Sequence, residues 1–217
     1  MKRNLFIATC LILIVGFWFG ASQLKKQRAE ELDFLAQEQA STFVRPHSPR
    51  LGAEDAKVYL VEFTDPACET CAAFSPYVKQ LMERHPGKVQ LVIRYAPFHG
   101  GSSDVVRVLE AARMQDKYWQ TLERLYLSQS FWTEHHQVRL DKVLQALPIV
   151  GLDLERLRED MNDPRITAII EQDLADVETL GVRQTPGFFV NGKPLEPFGL
   201  EPLVELVTAE VSKNYPG

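Results

Sequence analysis

Two cysteines separated by two residues, Cys68 and Cys71, stand where a strand pattern gives way to a helix pattern. That junction constrains the fold more than any other feature of the chain. Residues 57–63 form an apolar, β-branched run that reads as a buried strand. Helical spacing follows at once, with Ala72, Ala73, Phe74, Val78, Leu81 and Met82 as its apolar positions. Cys68 therefore falls at a helix N-terminus, where unpaired backbone N–H groups and the helix dipole favour an anion. A thiolate is such an anion, so the Cys68 pKa should drop and its reactivity near neutral pH should rise. Cys71 lies one turn on, on the same face, close enough to close a small ring with Cys68. This is the placement of a dithiol that switches between reduced and disulfide forms. A structural disulfide and half of a zinc site are the competing readings. His47, His85, His99, His135 and His136 repeat no ligand-pair spacing, and the third cysteine, Cys10, lies in an apolar N-terminal run, so no metal is expected.

A chain of 217 residues, 45% hydrophobic and 24% charged, can bury a core in one domain or in a domain with an insertion. Its net charge of −5, with no basic stripe, gives no support for nucleic-acid binding. Three cysteines are too few for a disulfide-stapled scaffold, so the core must carry the fold. The first residues are basic, and residues 5–20 are an uncharged apolar run, short for a membrane span and long for a signal-peptide core. Trp18 and Phe19 suit an interfacial anchor, whereas Gly20, Ala21 and Ser22 suit a signal peptidase. Residues 1–22 are thus expected to be a signal anchor, with a cleaved signal peptide as the alternative, and either one exports the rest. Residues 23–50 read as a helical stalk and linker, because two prolines and a glycine in 43–52 oppose regular structure.

The remaining domain, residues 51–215, opens with the strand and the cysteine helix, which Pro76 interrupts. A second buried strand follows at 89–95. Residues 102 to about 165 carry no strand signal and read as an all-helical insertion, with Trp119, Phe131 and Trp132 in its core. A long helix begins at Asp163-Pro164 and ends at Gly181. Thr185-Pro186-Gly187 leads into a strand at 188–190, and Asn191-Gly192 is a hairpin-turn signal. The closing strand carries Pro194 and should be an edge. His99 reads as a hinge or surface histidine.

These residues resemble the thioredoxin superfamily, and within it the DsbA-like branch of exported bacterial thiol–disulfide oxidoreductases. The resemblance spans residues 51–211 and rests on an ordered set: Glu62 six positions before Cys68, the Cys68-Glu69-Thr70-Cys71 motif, Pro76, a helical insertion, and Thr185-Pro186 before an apolar strand. It implies an α/β thioredoxin fold, with Cys68 as exposed nucleophile and Cys71 as buried resolving cysteine. Pro186 would be the cis-proline that, with Thr185, offers backbone groups to an extended substrate, and Glu62 the buried acid that relays a proton to Cys71. A carboxyl buried there would have its pKa raised by desolvation. No cofactor is implied beyond the Cys68–Cys71 pair. The implied partners are cysteine-containing exported proteins and a membrane or periplasmic redox partner, and the implied location is periplasmic, tethered at the inner membrane. Glu69 and Thr70 stand where strongly oxidising members carry proline and histidine, so both are expected to tune the redox pair. Thr185 is also what the isomerase-like members carry. A reductase or isomerase, and a redox-inert peptide-binding module, are the alternative functions.

Overall fold

A computed structural model describes residues 40–216 apart from position 136, together with positions 18, 20, 23 and 25–27. The stretches expected to form the anchor and most of the stalk lie outside the described residues. Among the described residues, no helix is long and apolar enough to cross a membrane.

The centre of the molecule is strand β2 (Val58–Thr64), which alternates between two cores. It pairs in parallel with β3 (Val89–Tyr95) from Val58↔Val89 to Thr64↔Tyr95. On its other side β6 (Gly187–Val190) runs antiparallel, with Glu62 opposite Phe188. The short strands β1 (Arg50–Leu51) and β7 (Lys193–Pro194) close the sheet in the order β1-β3-β2-β6-β7. Pro194, which has no N–H for a ladder, is thus on an edge strand. Asn191 and Gly192, with φ of 48° and 82°, make the β6–β7 turn, and the Asn191 side chain accepts from the Tyr59 backbone N–H at 2.8 Å.

Because strand side chains alternate between faces, Val58, Leu60 and Glu62 point to one side and Val61 and Phe63 to the other. The first side is covered by the cysteine helix α2 (Glu69–Arg84), by the C-terminal helix α9 (Leu200–Asn214) and by the insertion. The second side is covered by α8 (Pro164–Thr179) and by the segment entering the domain. Glu62 therefore lies beneath the cysteine helix.

Residues 43–51 correct the expectation of a linker free of regular structure. A helical turn, α1 (Ala40–Phe43), precedes them, Phe43 packs on Phe189 with ring centroids 4.9 Å apart, and β1 pairs with β3. A buried charge cluster fixes this segment. Arg94 on β3, wholly buried, donates to Asp173 at 2.7 and 2.9 Å, to Asp176, and to the carbonyls of Thr42 and Phe43. Arg45 reaches the same Asp176 at 2.6 and 2.8 Å, and His47 lies 2.7 Å from Asp173. Guanidinium bonds from Arg45 and Arg94 outweigh burial and hold the Asp176 carboxyl below the usual range. Gly52 (φ 110°) ends the segment where a Cβ would meet the Val89 carbonyl at 2.6 Å.

The insertion contains α3 (Ser102–Arg113), α4 (Tyr118–Leu127), α5 (Gln129–Trp132), α6 (Leu140–Gln145) and α7 (Leu154–Asp160). It is not entirely helical. Strands β4 (Thr133–Glu134) and β5 (Gln137–Val138) form a hairpin too short to leave a periodic signal. Trp132 is buried at the insertion's core and Trp119 packs against it, but Phe131 is 49% exposed, pointing away from that core.

Candidate active site

Cys68 is the N-cap of α2, in extended conformation (φ −78°, ψ 120°), with no side-chain cap. Its backbone N–H donates to the Asp65 carbonyl at 2.9 Å, closing the turn between β2 and α2. The open first turn of the helix thus presents N–H groups to the Cys68 sulfur. Both thiols are reduced, Cys68 6% exposed and Cys71 wholly buried. The Cys68 pKa is lowered to about 5 by a hydrogen bond from the Cys71 thiol, aided against desolvation by the Thr185 side chain and the N–H groups of Cys71 and Thr70. Burial pushes the Cys71 thiol up, reinforced by the neighbouring Cys68 and by the charge of Glu62. At neutral pH the pair is one thiolate beside one thiol.

The "exposed" nucleophile is less open than expected. Gln129, from the insertion, donates its amide to the carbonyls of Pro66 and Cys68 at 2.9 and 3.1 Å. The Thr185 carbonyl stands 3.3 Å from Cys68 Sγ. Insertion and Thr185 loop together leave a narrow approach to one sulfur and none to the other. The Thr185–Pro186 peptide bond is cis, with Pro186 buried and Thr185 half-buried. Thr185 and Cys68 thus meet across the site, while Glu69 and Thr70 face solvent.

Glu62 is buried, and burial raises its pKa to about 8, partly offset by a hydrogen bond with Thr64 and augmented by the charge of Cys68. It borders a cavity of about 20 Å³ that also touches Ser75, Lys79, Glu123 and Tyr126. That volume holds about one water. A protonated carboxyl electrostatically coupled to Cys71 can give a proton to that sulfur as the disulfide opens and take one back as it closes.

Four residues of the site carried no clear sequence signal. Asp65 is fully buried and its carboxylate binds three segments: Ala67 N–H at 2.8 Å, His99 N–H at 2.8 Å and His99 Nδ1 at 2.7 Å, and the Ser102 hydroxyl. His99 is therefore a partner in the active-site turn rather than a surface or hinge histidine. The bond from Asp65 to an N–H two residues on is an Asx-turn, which Asp65-Pro66 could have announced. Its reach to His99 and Ser102, and the contribution of Gln129, are tertiary. Among the described residues, no group of three His, Cys, Asp or Glu side chains could hold a metal ion.

Residues 45–209 match the family model described as Thioredoxin. The chain belongs to the thioredoxin family. Its relatives include disulfide bond formation proteins and a thioredoxin-like oxidoreductase. It is 28% identical to a probable disulfide bond formation protein D of Bacillus anthracis, over 98% of this chain and 97% of that relative. A thioredoxin-like oxidoreductase from Silicibacter pomeroyi superposes with a TM-score of 0.69 at 30% identity, covering 80% of this chain and 97% of that one. A Na(+)/H(+) antiporter NhaA of Herminiimonas arsenicoxydans is 31% identical over 66% of this chain, which spans only 22% of that relative's length.

Proposed function

We propose that this chain is an exported oxidant of cysteine pairs in other proteins, with Cys68 as the sulfur that meets substrate. The observation that carries the reading is the asymmetry of the two thiols, Cys68 lowered to about 5 and the adjacent Cys71 raised. In the disulfide form, a substrate thiolate attacks Cys68 Sγ, the Cys68–Cys71 bond breaks, and Cys71 leaves and takes a proton from the Glu62 carboxyl. The second substrate thiolate then attacks the substrate sulfur of the mixed disulfide, and Cys68 departs as thiolate. Two electrons pass from the substrate dithiol to this protein, and the substrate gains a disulfide. A low thiol pKa makes Cys68 a good leaving group, so the second step favours release of oxidised substrate. Cys68–Cys71 is the sole redox group this cycle needs, with Thr185 and Pro186 lining the approach and a further redox protein reoxidising the pair. An exported location, periplasmic and held at the inner membrane by residues 1–22, suits a protein that forms disulfides.

The test is oxidation of a reduced, unfolded cysteine protein by stoichiometric disulfide-form enzyme. Loss of substrate thiols matched by gain of thiols at Cys68 and Cys71 supports the reading. A redox-inert module would leave both unchanged, and a reductase would reduce a substrate disulfide faster than it forms one.

A further inference from the structure

Beside Cys68 lies a hollow of about 220 Å³ lined by Ala67, Glu69, Ser130, Thr133 and His135. Ala67 and Glu69 flank Cys68 in the chain, and the other three come from α5 and the β4–β5 hairpin of the insertion. The walls are rich in acceptors. The Glu69 carboxylate is exposed and has no ion-pair partner among the described residues. The Thr133 hydroxyl already donates to the Gln129 carbonyl at 2.8 Å, so its oxygen can only accept from a ligand. No lysine or arginine lines the hollow. His135, in the hairpin turn at φ 50°, closes the far side.

We propose that this hollow is a specificity subsite for the side chain of a lysine or arginine near the reacting cysteine of a substrate protein. The inference rests on the exchange reading above. Once a substrate sulfur is bonded to Cys68, its neighbours along an extended chain are spaced about 3.3–3.6 Å apart. A residue one or two positions from the substrate cysteine therefore reaches the walls formed by Ala67 and Glu69. A cationic side chain there meets the Glu69 carboxylate and donates to the Thr133 oxygen, forming charge-assisted bonds. An acidic side chain would meet repulsion from Glu69, with no lysine or arginine on the walls to offset it. The subsite thus selects by charge, at one position, next to the bond-forming centre.

Single-cysteine peptides with arginine, alanine or glutamate at each flanking position in turn are reacted with the disulfide form, and mixed-disulfide formation is timed. Arginine should accelerate the reaction over alanine by about three- to fivefold at one position only, the upper range of a partly exposed ion pair. Glu69→Gln should remove that advantage, Thr133→Val should reduce it, and Glu69→Lys should transfer the advantage to glutamate at the same position. An equal benefit of arginine at every position, abolished by salt, would be general attraction to an acidic surface and would overturn the subsite. So would indifference of the wild type to the flanking residue. If no peptide reacts, alanine peptides included, the exchange reading falls and the subsite with it.

Discussion

Replacing Cys71 by alanine and by serine separates what its sulfur does to Cys68 from what its disulfide does. The largest influence lowering the Cys68 pKa is the hydrogen bond donated by the Cys71 thiol. A hydrogen bond to a charged group contributes about 1.5–3 kcal/mol. At 1.36 kcal/mol per pH unit, its loss in Cys71→Ala should move the Cys68 titration up by about one to two pH units, from about 5 to between about 6 and 7. Cys71→Ser keeps a donor at the same place and should stay much closer to the wild type. Alkylation by iodoacetamide against pH, or the ultraviolet absorbance of the thiolate, reads the titration directly. The rate at pH 7 is a poor substitute. At pH 7 a thiol that titrates between about 5 and 7 is already at least about half ionised, so the thiolate fraction falls by at most about twofold as the titration rises, while nucleophilicity moves the opposite way. Both variants should accumulate mixed disulfides with substrates, because nothing resolves them, whereas Cys68→Ser should accumulate few. Equal Cys68 titrations in the alanine and serine variants would refute the hydrogen-bond account, and the helix terminus and Thr185 would then carry the shift.

Three further outcomes follow from the same geometry. In the disulfide form the Cys68 charge is gone, but burial still holds the folded Glu62 carboxyl above the ordinary carboxyl range in which the unfolded chain loses its proton; the folded state binds more protons in that window, so stability falls as pH rises through it. Urea unfolding of the oxidised protein at pH 5 and pH 8 should show a drop on the order of a few kcal/mol, absent in Glu62→Gln; identical slopes in both proteins would contradict it. Arg94→Met leaves Asp173 and Asp176 buried without their shared cation and should cost about 3–5 kcal/mol by urea unfolding, while a loss below about 1 kcal/mol would mean that Arg45 and His47 satisfy the two acids without it. Gln129→Ala should open the approach to Cys68, seen as faster alkylation at a pH where the thiol is already ionised; an unchanged rate would place the barrier in the Thr185 loop.

What the sequence disclosed and what it did not divide along physical lines. The strand of 57–63, the helix after Cys68, the long helix from Pro164 and the Asn191-Gly192 turn rest on local patterns, and each lies within a residue or so of where those patterns put it. Glu62 could be placed beneath the cysteines through the family resemblance, with its apolar neighbours Val61 and Phe63 arguing for burial of that region. Residues 43–52 misled because their prolines and glycine oppose local order, whereas partners more than a hundred positions away hold the segment. The same reason hid the Asp65, His99, Ser102 and Gln129 contacts, which join β2 to the insertion across 34 to 63 positions of chain. The β4–β5 hairpin was invisible for a different cause: two-residue strands have no period to detect. Glu69 was expected to tune the redox pair. It faces solvent and lines the hollow beside Cys68, and the groups that shift Cys68 are Cys71, Thr185 and backbone N–H groups.

The reduction potential of the Cys68–Cys71 pair, read by equilibration with glutathione, tests the central claim most directly. A thiol pKa near 7 accompanies a potential of about −270 mV in thioredoxin, and one near 3.5 accompanies about −120 mV in DsbA. Interpolating for Cys68 at about 5 gives about −180 to −200 mV, oxidising enough to donate its disulfide to a substrate. A reversible two-electron couple in that range is the expected result. A potential at or below about −270 mV, or no couple at all, would contradict the account.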